Sequence, residues 1–219
     1  MKSTARQFSA IMAFAREVEK KDPRGLIAVI RILGMSILAD FLRWRMESLG
    51  TRHVKPPCPD WDLFPLTTKF GPHGERLDDL CPEEPQKLRI DLAKHLVLPV
   101  PWNRDRLAKS LAFIGPKRKW GKWKHDDMNH AIEYWEPIGV GWCINGNHSM
   151  VAGIIAGEGT TTTVAVRDIT PLYAHVTCDG KNYLNSAGKT IGKVNSPEFA
   201  AIFEIGRLLV KHGVSASKR

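Results

Sequence analysis

Residues 137–157, PIGVGWCINGNHSMVAGIIAG, constrain this chain more than any other stretch. Val140, Trp142 and Ile144 alternate, which predicts a buried strand over 138–144. Asn145-Gly146-Asn147 supplies residues that tolerate positive φ and predicts a tight turn. Met150, Val151, Ile154 and Ile155 then recur at helical spacing, so a helix is expected over 148–156. A strand that runs through a glycine turn into a helix leaves backbone N–H groups unpaired at the helix start. Together with the positive end of the helix dipole, these groups attract an anion such as phosphate. The plainer alternative is a structural strand–helix link with Asn147 as its N-cap.

The N-terminal part reads as helical. Phe8, Ile11, Met12, Phe14 and Ala15 give one apolar side to a helix over 3–20. Asp22-Pro23 starts a second helix that runs to Leu49 and stops at Gly50. Its interior is apolar nearly all round, but the run over 26–39 contains Arg31 and falls short of the roughly twenty residues a membrane span needs. A core or partner-facing helix is therefore expected, with no transmembrane span. Half of the 14 prolines fall within 56–85, as in a strap or linker, and Trp61, Leu63, Phe64 and Phe70 should hold it against a surface.

From Leu88 the pattern becomes mixed. A strand is expected over 96–98, followed by an extended Pro99-Val100-Pro101 segment and a helix over 104–114 capped by Asn103. A loop, KRKWGKWKHDDMNHAIEYWEP, leads into the opening strand. Strands are expected over 162–170 and 172–178, then a hairpin turn at Asp179-Gly180 and a short strand near Tyr183-Leu184. Ser196-Pro197 begins a last helix over 198–212, closed by Gly213. The fold class is α+β: a mixed sheet with helices, preceded by two N-terminal helices. The expected organisation is a helical segment 1–50, a strap 51–87, an α/β domain 88–213 and a frayed tail 214–219.

Charge narrows the partners. The 219 residues carry a net charge of +9, which favours an anionic partner, nucleic acid ahead of membrane. The opening twenty residues mix charges with no continuous apolar run, so no secretory signal is expected and a cytoplasmic setting is the default. Cys58, Cys81, Cys143 and Cys178 form no C-x-x-C pair, which argues against a zinc ribbon or a disulfide framework. Cys143 and Cys178 read as buried thiols.

Two clusters are candidates for chemistry. Lys117, Arg118, Lys119, Trp120, Lys122, Trp123 and Lys124 interleave five cations with two tryptophans and no acid. Cations hold phosphates while aromatic faces stack on bases, so this loop suits flexible or single-stranded nucleic acid, or is simply a solvated basic loop. Arg104, Arg106 and Lys109 on the preceding helix add to it. Asp126-Asp127-Met128-Asn129-His130 could place Asp126 and Asn129 on Mg²⁺, with Asp126 and His130 as acid and base. The same residues could equally be a helix start with Asp126 as its cap.

The order of these elements over 95–185 resembles the ParB/sulfiredoxin superfamily, where a strand, a G-x-x-R box and a helix build a phosphate-binding floor. Gly146, Asn147, His148 and Ser149 occupy the four box positions, with Ser149 where the family carries Arg. The resemblance implies that these four residues cradle phosphate, with Arg104 or Arg106 replacing the box arginine and His148 as a catalytic group. The box lacks the cysteine of the sulfiredoxin reaction. Within the superfamily, the helical N-terminal part and basic chain are similar to the Osa-type plasmid fertility-inhibition proteins. That similarity implies ATP and Mg²⁺ as cofactors, ATP hydrolysis and DNA cleavage. It also implies interference with conjugative DNA export through a type IV secretion system. The expected function is thus a nucleotide-dependent DNA-processing protein; the alternative is a non-catalytic nucleic-acid- or secretion-apparatus-binding protein using the same surface.

Overall fold

Two helices open the chain, α1 (Thr4–Lys21) and α2 (Leu26–Glu47), joined by a 3-10 turn over Pro23–Gly25. Asp22 caps that turn by accepting from the Arg24 N–H at 2.9 Å. The computed structural model describes residues 4–48, 63–65 and 67–217. The 25-residue stretch Pro23–Glu47 is long and apolar enough to cross a membrane by length and composition. In this fold it is a core helix. Leu26, Val29, Ile30, Leu33, Ile37, Leu38, Phe41 and Leu42 are buried, and α2 packs on α1, α6 and the sheet. Fully burying each such side chain contributes about 1.5–3 kcal/mol. Arg31 is accommodated because its guanidinium donates to the Ala93 carbonyl.

The expected strap is held down where it is described. Leu63, Phe64 and Phe70 are buried, and the Tyr183 hydroxyl donates to the Leu63 carbonyl at 2.6 Å. Phe64 meets Phe70, Tyr183 and Phe203 at 4.8–5.3 Å between ring centroids. Trp61, Cys58, Leu49 and Gly50 lie outside the described residues.

The later elements are α3 (Leu77–Leu80), β1 (Glu83–Glu84), β2 (Arg89–Asp91), β3 (Leu96–Leu98), α4 (Arg104–Phe113), β4 (Ala131–Glu136) and β5 (Val140–Asn145). Then come α5 (Asn147–Ala156), β6 (Thr160–Thr162), β7 (Ala165–Asp168), β8 (Val176–Cys178), β9 (Asn182–Asn185), β10 (Thr190–Lys193) and α6 (Pro197–Lys211). The main sheet has the order β1-β7-β4-β5-β3 and is mixed: β4–β5 and β1–β7 are antiparallel, β4–β7 and β3–β5 parallel. Strands β8, β9 and β10 form a separate antiparallel meander, and β2 pairs with β6. The fold is thus α+β.

Several expectations need correction. The centre of the sheet is β4, within the stretch read as a loop. Its charges concealed it: Glu133 is met by Arg167 and Glu136 by Ser215 and Ser217, all remote in sequence. The stretch 172–178 is only partly strand, because Thr170–Ala174 forms a 3-10 turn before β8. Described residues of α1 and α2 and of the later α/β part share one hydrophobic core, from Met12 and Leu26 to Val140 and Phe203. Nor does the described tail fray: Ala216 is buried, the Ser215 hydroxyl donates to Glu136 Oε2, and Ser217 N donates to Glu136 Oε1 at 2.9 Å.

Arg167, only 3% exposed, binds three carboxylates at once. It reaches Glu133 and Glu83 at 2.6 Å and Asp78 at 2.8 Å, and so ties α3 and β1 to the sheet. Removing one partner of such a buried pair typically costs about 3–5 kcal/mol. Arg167→Met should therefore lower unfolding free energy by about that amount in urea titrations, and adding Glu133→Gln should recover part of it.

Candidate functional site

The site sits where the sheet topology brings two helix starts together. Strands β3 and β5 are parallel neighbours, with Leu96 opposite Val140 and Leu98 opposite Trp142. Each leads into a helix, β3 into α4 through 99–103 and β5 into α5 through Gly146. Both helices therefore start at the same edge of the sheet, and they pack on each other. The carboxyl ends of adjacent parallel strands are where open α/β sheets bind ligands.

The turn between β5 and α5 is dictated locally. Gly146, at φ 80°, is the N-cap, and Asn147 is the first helical residue rather than the cap. A Cβ at position 146 would lie 2.4 Å from the His130 ring and 2.8 Å from the Asn129 carbonyl, so only glycine fits there. The N–H groups of Asn147, His148 and Ser149 precede the first helical bond, from Met150 N to the Gly146 carbonyl at 3.0 Å. Along β5 the alternation decays outward: Val140 is buried, Trp142 half-buried and Ile144 exposed.

The side chains after Gly146 are committed to neighbouring groups. Asn147 Oδ1 accepts from Val100 N at 2.6 Å, and His148 Nε2 lies 3.1–3.2 Å from the backbone of Asn103. These two contacts fasten the segment after β3 to the start of α5. Ser149 Oγ lies 2.8 Å from His130 Nε2, a separation that on its own suggests a catalytic dyad. The proton order points the other way. Asp126 N donates to His130 Nδ1 at 3.0 Å, so the imidazole proton is on Nε2 and is donated to Ser149, whose hydroxyl donates to the Gly146 carbonyl at 2.9 Å. A histidine in that tautomer does not take a proton from the serine. The arrangement locks β4 to α5 and activates nothing at Ser149.

His130 is 4% exposed, and the Trp123 ring stacks on it at 4.7 Å. Trp123 is itself buried and donates from Nε1 to the Ser149 carbonyl at 2.8 Å, so it belongs to the framework and is corrected as a base-stacking candidate. The Asp126–His130 segment is a turn into β4, not a helix start. Asp126 Oδ1 accepts from Met128 N at 3.0 Å, and Asp127 pairs with His125 at 2.8 Å. Among the described residues, no three His, Cys, Asp or Glu side chains converge to hold a metal ion. With one oxygen of Asp126 accepting from Met128 N, the Asp126–Asn129 turn offers a divalent ion a single carboxylate and an amide. Among the described cysteines, burial pushes the Cys143 and Cys178 thiols up to about 12 and Cys81 up to about 11, away from thiolate at neutral pH.

The two helix starts instead form an open cleft of about 430 Å³, lined by Gly146–Ser149 on one side and by α4 on the other. Arg106 and Lys109 line it, and among the described residues no acid does. Asn103 positions α4 by accepting from Arg106 N at 2.9 Å. Arg104 is directed elsewhere, donating from Nε to the Met46 carbonyl at 3.0 Å at the end of α2. Of the two arginines expected to replace the box arginine, Arg106 faces the cleft. Trp120 lines it, whereas Arg118 is used to cap α4, donating to the Leu111 and Ile114 carbonyls at 2.5 and 2.7 Å. Lys117, Lys119, Lys122 and Lys124 are exposed around the cleft's loop.

Sequence reasoning missed Trp102, which lines the same cleft and is 59% exposed. The signal was present: a tryptophan just before the cap of a basic helix, with a second tryptophan just after that helix. The cleft suits phosphate, through backbone N–H groups and two cations, and a phosphate-bearing nucleotide fits that chemistry.

Burial lowers both His130 and His148 below the ordinary imidazole value of 6.5. For His148, the nearby Arg106 and Arg45 add to that lowering. The folded state thus binds fewer protons than the unfolded one between the depressed values and 6.5, and stability falls as pH drops through that window. The melting temperature should decline below about pH 6.5, and His130→Asn, which keeps an acceptor for Asp126 N, should flatten that decline.

No curated protein and no solved structure matches the chain. Over residues 1–216 it matches the family described as "Family of unknown function (DUF6710)", and it belongs to that family.

Proposed function

We propose that this protein binds nucleic acid by its phosphates in the cleft between α4 and the start of α5. The observation that carries the reading is the cleft's composition. Arg106 and Lys109 line it opposite the Gly146–Ser149 turn, with no acidic side chain among the described residues there, in a chain of net charge +9. Backbone N–H groups at a helix start and cations converging on one cleft are what a phosphate diester requires. The order β3, α4, β5, Gly146–Ser149 turn and α5 supports a ParB/sulfiredoxin-like arrangement, with Arg106 in place of the box arginine.

A second reading extends binding to ATP- and Mg²⁺-dependent DNA processing, with inhibition of conjugative transfer as its setting. One observation favours it: the imidazole of His148, held neutral by burial, lines the cleft. Any Mg²⁺ would arrive on the nucleotide phosphates. Binding without chemistry is the reading the geometry supports better, because Ser149 and His130 are committed to each other.

Fluorescence anisotropy with a labelled oligonucleotide should show binding that weakens with salt. Arg106→Ala and Lys109→Ala should each reduce the slope of log affinity against log salt by about 1. Unchanged slopes in both variants would remove the cleft from the interface. Hydrolysis of ATP or DNA by the pure protein with Mg²⁺, lost in His148→Ala, would establish the second reading; no hydrolysis would discard it.

A further inference from the structure

We infer that the nucleic acid taken by this cleft is single-stranded, its bases stacking on Trp102 and Trp120. The inference rests on the phosphate-binding reading above and adds to it the form of the polymer.

The two tryptophans bracket α4: Trp102 stands just before its cap, Asn103, and Trp120 follows its end. Both line the cleft, and they are 59% and 53% exposed. Among the described residues, both indoles keep more than half of their surface open to water in one cleft, and covering them would gain hydrophobic free energy. Neither ring is loose. The edge of His148 meets Trp102 at 5.4 Å with an interplanar angle of 79°, and the Arg106 guanidinium lies 5.2 Å from its centroid. Trp120 meets Phe113 at 5.1 Å and 64°, and its backbone N–H donates to the Phe113 carbonyl at 2.8 Å. Both rings are therefore positioned by α4 and by the start of α5. Trp123, in the same basic loop, shows the contrast: its ring is covered by His130 and buried.

The spacing selects the form of the ligand. Helix α4 has ten residues and spans about 15 Å, so the platforms stand at opposite ends of a rod of that length. Arg106 and Lys109, three residues apart, share the helix face between them. Planar surfaces at both ends and cations between them match a strand whose bases are splayed from its phosphates. A duplex offers base faces only at its ends and cannot seat bases on two platforms along one helix. A mononucleotide has one base and reaches one platform.

The test compares a fluorescein-labelled oligothymidylate with a blunt duplex of equal length at low salt, on the full chain. The single strand should bind at least tenfold tighter, quenching the protein's tryptophan fluorescence. Trp102→Ala and Trp120→Ala should each weaken single-strand binding about tenfold and leave duplex binding unchanged, while Trp102→Phe should retain most of it. Circular dichroism of each variant separates loss of a platform from loss of the fold. Equal affinity for both forms, with both alanine variants folded and unaffected, would overturn the single-strand inference and leave the phosphate reading standing. Binding of neither form would overturn both.

Discussion

Asn147, His148 and Ser149 direct their polar side-chain atoms at neighbouring backbone and side chains, and the cleft depends on that. Asn147 takes the N–H of Val100, His148 meets Asn103, and Ser149 passes a proton-ordered chain from His130 to the Gly146 carbonyl. Through these contacts the start of α5 is joined to the exit of β3 and to the entrance of β4. Each is a hydrogen bond of modest net worth, but leaving any of these partly buried groups unpaired would cost more than the bond contributes. The helix start is therefore held in one place, with Gly146–Ser149 lining the cleft.

That same commitment limits the chemistry. A serine 2.8 Å from a buried histidine has the distance of a nucleophile and its base. The direction of the hydrogen bonds decides against it, because the imidazole acceptor is already occupied by Asp126 N. Support for a binding function is stronger for the same reason: cations without acids remain on the cleft face of α4, and two indoles remain uncovered at its ends. In the proposed reading, the cleft offers a ligand electrostatics from Arg106 and Lys109 and stacking on Trp102 and Trp120.

The buried ionic cluster at Arg167 and the anchored tail show the same logic elsewhere on the sheet. Glu133 and Glu136 lie on the central strand, and a carboxylate there is tolerable only when paired. Arg167 on β7 answers the first, Ser215 and Ser217 answer the second. The result is that a strand carrying two acids can occupy the middle of the sheet, with Ile132 and Tyr134 filling the core beside it.

Much of this was legible in the sequence, and the reason is locality. Asp22, Asn103 and Ser196 each cap the helical turn that begins at the next residue, and Gly146 permits the turn it occupies. Strands β3 and β5 and helices α4, α5 and α6 arise from short-range pattern in the same way. Fold class came from those features, and so did the position of the Gly146 turn at which an anion was expected. Tertiary structure alone decided the rest, because the deciding partners are far apart in the chain. Strand β4 looks charged until Arg167 and the tail reach it across more than thirty residues. Trp102 and Trp123 look alike until packing buries one and leaves the other open. Arg104 and Arg106 are two residues apart, yet the helix turns one toward Met46 and the other into the cleft. Sequence determines which backbone conformations are favourable at each position; which side chains are left free for a ligand is settled only after the core has claimed the others.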